Sequence, residues 1–101
     1  MLRVLIYTAR IMMEIEAVVS GKVQGVAYRA FVDDAAVKLD LTGYTHNNSD
    51  GTVTVVAQGE TESLKELVEW LNEGSLSARV ESVEVSWRSP RKTYHDFSVL
   101  H

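Results

Sequence analysis

From Met13 the chain alternates. Met13, Ile15, Ala17 and Val19 are interleaved with Glu14, Glu16, Val18 and Ser20, the two-residue period of a half-buried strand. The period then becomes helical. Tyr28, Val32, Ala35, Ala36 and Leu39 fall on one side and Asp33, Asp34, Lys38 and Asp40 on the other, which predicts an amphipathic helix of about three turns. Gly43 to Asn48 reads as a second strand. Asn48-Ser49-Asp50-Gly51 supplies residues that tolerate left-handed backbone in a hairpin turn, and Thr52 to Ala57 reads as the third strand. A second helix is expected from Thr61 or Ser63 to Asn72, with Leu64, Leu67, Val68 and Leu71 at core spacing, Ser63 and Glu66 as a capping box, and Gly74 as its stop. Val83, Val85 and Trp87 alternate with Ser82, Glu84 and Ser86 in a fourth strand, and Val80, out of phase, marks a bulge at its start. Beyond the polar loop at Pro90, Tyr94 to Leu100 predicts a short final strand with Phe97 and Val99 on one side.

The order strand, helix, strand, strand, helix, strand, with a short C-terminal strand added, predicts an α+β fold: a ferredoxin-like βαββαβ sandwich, with a mainly antiparallel sheet and both helices on one face. Residues 13–101 make one domain. Residues 1–12 are mostly apolar with only Arg3 and Arg10 charged, well short of the roughly 18 residues that span a bilayer. They also lack the basic region and cleavage site of a signal peptide. An extra edge strand and a disordered extension both remain open for this segment.

Composition narrows the chemistry. With 101 residues, 46% apolar, the chain has enough material for a single core. It has no cysteine, so disulfides, thiolate nucleophiles and cysteine-ligated metals are excluded, and a cytoplasmic location is the default. Asp and Glu outnumber Lys and Arg by 14 to 10, for a formal net charge of −4, which argues against a nucleic-acid partner. His46, His95 and His101 are scattered, with no metal-ligand spacing.

One stretch stands out against this background. In Ser20 to Arg29 a strand passes through Gly21 and Gly25 into a helix whose first turn carries Arg29. Such a turn is a natural anion cradle: successive backbone N–H groups and the positive end of a helix meet one oxyanion, and arginine adds a bidentate fork.

The run Val19-Ser20-Gly21-Lys22-Val23-Gln24-Gly25-Val26-Ala27-Tyr28-Arg29 resembles the phosphate-binding signature of acylphosphatases, small enzymes that hydrolyse the carboxyl-phosphate bond of acyl phosphates. Gly43-Tyr44-Thr45-His46-Asn47, followed by Asp50-Gly51-Thr52-Val53, is similar to the family's second signature, and Gly59, Trp70-Leu71, Gly74 and Ala78-Arg79-Val80 follow at familiar spacing. The resemblance implies that Arg29 and the backbone amides of Gln24, Gly25, Val26, Ala27, Tyr28 and Arg29 bind the phosphoryl oxygens. It implies that Asn47 positions the attacking water, without metal or cofactor, and that phosphate or sulfate binds as a product-like ligand. A substrate oxygen is the expected acceptor of the water's proton. The sequence departs from the family pattern where His46 and Tyr44 stand in place of frequent Arg and Trp, and where Ser75-Leu76-Ser77 replaces prolines.

These features imply a monomer acting on a small acyl phosphate, with a dimer through the N-terminal extension as the alternative. Two other functions fit the same fold: a non-catalytic anion-binding or interaction module, akin to the acylphosphatase-like domains of larger carbamoyl-transferring proteins, and an RRM-like nucleic-acid binder. The last lacks a basic, aromatic-rich RNA-binding strand.

Overall fold

The computed structural model describes residues 12–101, so the N-terminal extension, apart from Met12, lies outside the described residues. The elements run β1 (Met13–Lys22), α1 (Tyr28–Lys38), β2 (Thr42–Asn47), β3 (Val53–Gly59), α2 (Thr61–Glu73), β4 (Arg79–Arg88) and β5 (Phe97–Leu100). The strands form one sheet in the order β4-β1-β3-β2-β5. The pairs β4–β1, β1–β3 and β3–β2 are antiparallel, and only β2–β5 is parallel. This is the ferredoxin-like arrangement expected from the sequence, closed at one edge by the fifth strand.

The alternation in β1 decides which face is covered. Ile15, Ala17 and Val19 have no exposed surface, and they stand in register with Ala57, Val55 and Val53 of β3. Val32 and Ala36 of α1 and Leu64, Leu67 and Leu71 of α2 close the same cluster. Burial of each of these large aliphatic side chains is worth about 1.5–3 kcal/mol. Tyr28 is almost fully buried between the helices, and its hydroxyl donates to the Leu71 carbonyl at 2.8 Å. That carbonyl belongs to the last turn of α2, where no helical N–H follows to satisfy it. Burial pushes the Tyr28 phenol far above its ordinary range, so it serves as a neutral donor.

The opposite face departs from the simple polar-out expectation. Glu14 is only 2% exposed. Its register neighbours are Arg88 on β4 and Gln58 on β3. Arg88 pairs with both Glu14 and Glu16, and Gln58 donates to Glu14 Oε1 at 2.7 Å. Gln58 also donates to the Lys92 carbonyl and accepts from the Tyr94 N–H at 3.1 Å. The segment between β4 and β5 thus crosses the second face of the sheet, which explains why every residue of β3 is buried, including those pointing away from the helices.

Several local expectations shift. The α2 N-cap is Glu60, with no side-chain capping bond, so the Ser63–Glu66 capping box is not used. Asp40 adopts φ 58 just past the end of α1, a left-handed stop that takes it out of the helix. Trp87 shares the covered face by alternation, yet it lies on edge strand β4 and stays 42% exposed. The bulge near Val80 is present: Ser20 pairs with Ser82 but Gly21 with Val80, leaving Glu81 as the extra residue.

Candidate active site

The glycine turn is shorter than the sequence suggests. β1 continues through Gly21 to Lys22, so Gly21 belongs to the sheet, and the free loop is Val23 to Ala27. Gly25 has φ 71 and Ala27, the N-cap of α1, has φ 59 and ψ 23. Two left-handed residues so close together turn the chain sharply into the helix. A non-glycine residue in that region stores on the order of 1 kcal/mol of strain, a feature concentrated at functional sites.

Two neighbouring segments hold the loop. The Gln24 amide donates to the carbonyls of Asn48 at 2.8 Å and Thr52 at 2.9 Å, the two ends of the β2–β3 turn. Ser75 Oγ, just beyond α2, donates to the Val26 carbonyl at 3.2 Å. The turn at the far end is itself braced, since Asp50 Oδ1 accepts from both the hydroxyl and the backbone N–H of Thr52.

A cleft of about 240 Å³ opens beside this loop. Gly25, Ala27, Tyr28 and Arg29 line one side, and Asn47 lines the other from the end of β2. Of the expected site residues, Gln24 and Val26 do not line it. The Gln24 side chain faces the β2–β3 turn and Val26 packs against the core. Sequence reasoning missed Val23, Ala30, Val99 and His101, which also line the cleft. Nothing local marks Val99 and His101, because β5 reaches the cleft only by pairing with β2. His46 is on the other face, as strand alternation from Asn47 requires, stacked on Tyr44 with ring centroids 5.8 Å apart.

Arg29 is in the first turn of α1, where no acidic residue is present, and no Asp or Glu side chain among the described residues lines the cleft. A cation at a helix N-terminus opposes the helix dipole by roughly 0.3–1 kcal/mol. The local rule is broken in the sense that favours a bound anion. One guanidinium nitrogen, Nη1, donates to the Leu100 carbonyl at 2.8 Å, which steadies the side chain and leaves its remaining N–H groups for a ligand. Across the cleft, Asn47 Oδ1 is buried and has no hydrogen-bond partner among the described residues. An acceptor left in that state costs about 1–3 kcal/mol.

The acylphosphatase family model matches residues 15–99. An acylphosphatase of Salinibacter ruber is 41% identical over 85 residues, covering 84% of this chain and 90% of that protein. The acylphosphatase of Thermus thermophilus is 51% identical over 71 residues, covering 70% and 81%. The crystal structure of acylphosphatase from Bacillus subtilis superposes with a TM-score of 0.86 at 32% identity, covering 88% of this chain and 99% of that one. With its two-helix, five-stranded fold and its cleft at the start of α1, this chain belongs to the acylphosphatase family.

Proposed function

We propose that the protein hydrolyses acyl phosphates to a carboxylate and inorganic phosphate by direct attack of water. The phosphoryl group is held by the backbone N–H groups of the Gln24 to Arg29 segment, the N-terminus of α1 and the free edge of the Arg29 guanidinium. Asn47 Oδ1 accepts a hydrogen bond from the attacking water and aims it in line with the phosphorus.

The reaction suits these groups. An acyl phosphate is a mixed anhydride with a stable carboxylate leaving group, so the transition state asks mainly for charge stabilisation on the phosphoryl oxygens and an aligned nucleophile. Arginine and fixed backbone dipoles meet the first need without reorganising. An amide oxygen cannot act as a base near neutrality, but it can orient water.

The observation that carries this reading is the buried, unpartnered Asn47 Oδ1, in the same cleft as Arg29 and the start of α1. An acceptor facing a purely anion-binding pocket would repel the ligand; facing a water beside that ligand, it has a use. The test is turnover of an aromatic acyl phosphate by the wild type and Asn47→Ala, with phosphate affinity measured in parallel. The expected result is a fall in kcat on the order of 10²–10³ for Asn47→Ala, with phosphate binding retained. A folded wild type that binds phosphate and gives no turnover above background would leave the non-catalytic anion-binding module as the function.

A further inference from the structure

The face of the sheet turned away from the helices carries a second pocket, of about 410 Å³, a size ordinary for small-molecule sites. Glu14, Glu16 and Tyr44 line it from the sheet, with Arg88 at the end of β4. Arg91, Lys92 and Tyr94 line it from the segment that joins β4 to β5. None of these residues lines the cleft beside Arg29.

Part of this pocket is accounted for by the fold. Arg88 pairs with Glu14 and Glu16, and Gln58 ties Glu14 to the crossing segment. The rest has no such use. Tyr44 meets Tyr94 edge-on, with centroids 5.6 Å apart, and lies parallel to His46 at 5.8 Å, so three rings make one aromatic surface along β2. The Lys92 ammonium stands 5.0 Å from the centre of the Tyr94 ring, a contact that leaves its N–H donors open. Arg91 is exposed and has no ion pair among the described residues. Three cations and two carboxylates give the pocket one net positive charge, in a chain whose formal net charge is −4. Arg88 holds Glu16 through Oε2 at 2.9 Å, which leaves Oε1 as an acceptor.

We infer that this outer pocket binds a mononucleotide, independently of any turnover at Arg29 and Asn47. The base stacks on the tyrosine rings, which suit any base because each has a π-face. Its N–H edge meets Glu16 Oε1, as carboxylates accept from base amino groups elsewhere. The phosphate is held by Arg91 and Lys92, both free to give charge-assisted hydrogen bonds. Rings alone would take any flat apolar group, and cations alone any anion; their meeting in one pocket selects a flat group that carries a phosphate. A nucleic-acid strand is a poorer fit, because the two cations are not continued as a basic track in this acidic chain.

The test is an NMR titration of the full chain with adenosine monophosphate, run while inorganic phosphate saturates the cleft beside Arg29. The expected result is a saturable shift of the Tyr44, His46 and Tyr94 resonances that excess phosphate does not remove. Adenosine monophosphate should bind on the order of tenfold more tightly than ribose 5-phosphate, the contribution of a stacked base. Replacing the two exposed cations together, Arg91→Ala with Lys92→Ala, should weaken it on the order of tenfold and leave acyl phosphate turnover as in the wild type. Tyr44→Leu, which keeps apolar bulk on the strand, should weaken it by a similar factor. Shifts confined to Val23 to Arg29 and Asn47, or abolished by phosphate, would place the nucleotide in the other cleft and overturn the inference. Equal affinity for ribose 5-phosphate overturns it by removing the base, and so does the absence of any saturable shift at millimolar nucleotide.

Discussion

Arg29 Nη1 donates to the Leu100 carbonyl at 2.8 Å, joining residues 71 positions apart in the chain. The contact aims the guanidinium by tying the first turn of α1 to the end of the edge strand β5. Lysine would keep the charge but not the planar fork that serves the carbonyl and a phosphoryl oxygen together. Arg29→Lys is expected to lose on the order of 10²-fold in kcat/KM on an acyl phosphate. A variant within a fewfold of wild type in steady-state assays would reduce the role of Arg29 to simple charge.

Gln24 is expected to act by holding the loop in place. Its side chain reaches both ends of the β2–β3 turn through the Asn48 and Thr52 carbonyls, so it sets the distance between the loop amides and Asn47. Gln24→Ala removes two hydrogen bonds, each worth about 0.5–1.5 kcal/mol. Urea denaturation should show a loss on the order of 1–3 kcal/mol, accompanied by weaker phosphate binding. Lost stability with unchanged phosphate affinity would show that the loop keeps its shape without the clamp.

Ala27 makes the opposite case, a residue whose conformation costs stability. At φ 59 its Cβ is strained, and glycine adopts that region freely. Ala27→Gly is expected to raise unfolding free energy by about 1 kcal/mol, or a little less once the added freedom of the unfolded chain is counted. The same freedom loosens the loop, so phosphate affinity should fall while thermal stability rises. A variant less stable than wild type would mean that the strain is not borne at Ala27.

Asp50 carries a pH-dependent prediction. Hydrogen bonds from the Thr52 hydroxyl, and then from the Thr52 backbone N–H, hold its carboxyl below the ordinary carboxylate range. A group whose folded pKa is depressed contributes stability that is present above its unfolded pKa, near 3.9, and lost as pH falls through the folded value. The melting temperature of wild type should therefore exceed that of Asp50→Asn near neutral pH, and the gap should shrink as the pH falls below the ordinary carboxylate range. A gap that is constant with pH would assign it to hydrogen-bond geometry and not to charge.

Much of the fold was legible because the signals are local. Ile15, Ala17 and Val19 alternate, Leu64, Leu67 and Leu71 repeat at helical spacing, and both sets lie in the buried cluster. The turn at Asn48 to Gly51 and the α2 stop at Gly74, with φ 78, follow from residue chemistry at single positions. Glu14 was not legible. Its alternation places it on the solvent side, and it is buried because the segment carrying Lys92 and Tyr94 is laid over it by Gln58. Local periodicity cannot register a cover that arrives from so far along the chain.

The candidate site divides along the same line. By itself the sequence determined the strands and helices, their order, and a glycine-containing turn that delivers backbone amides and Arg29 to the start of one helix, because those depend on neighbours within a few residues. Only the tertiary structure decided that Asn47 faces that turn, that its Oδ1 is left without a partner, and that Val99 and His101 complete the cleft. The physical reason is the route of the last segment. β5 pairs with β2 only after the chain has crossed the whole sheet from β4, and the side chains it contributes are set by strand register and not by any pattern within the strand.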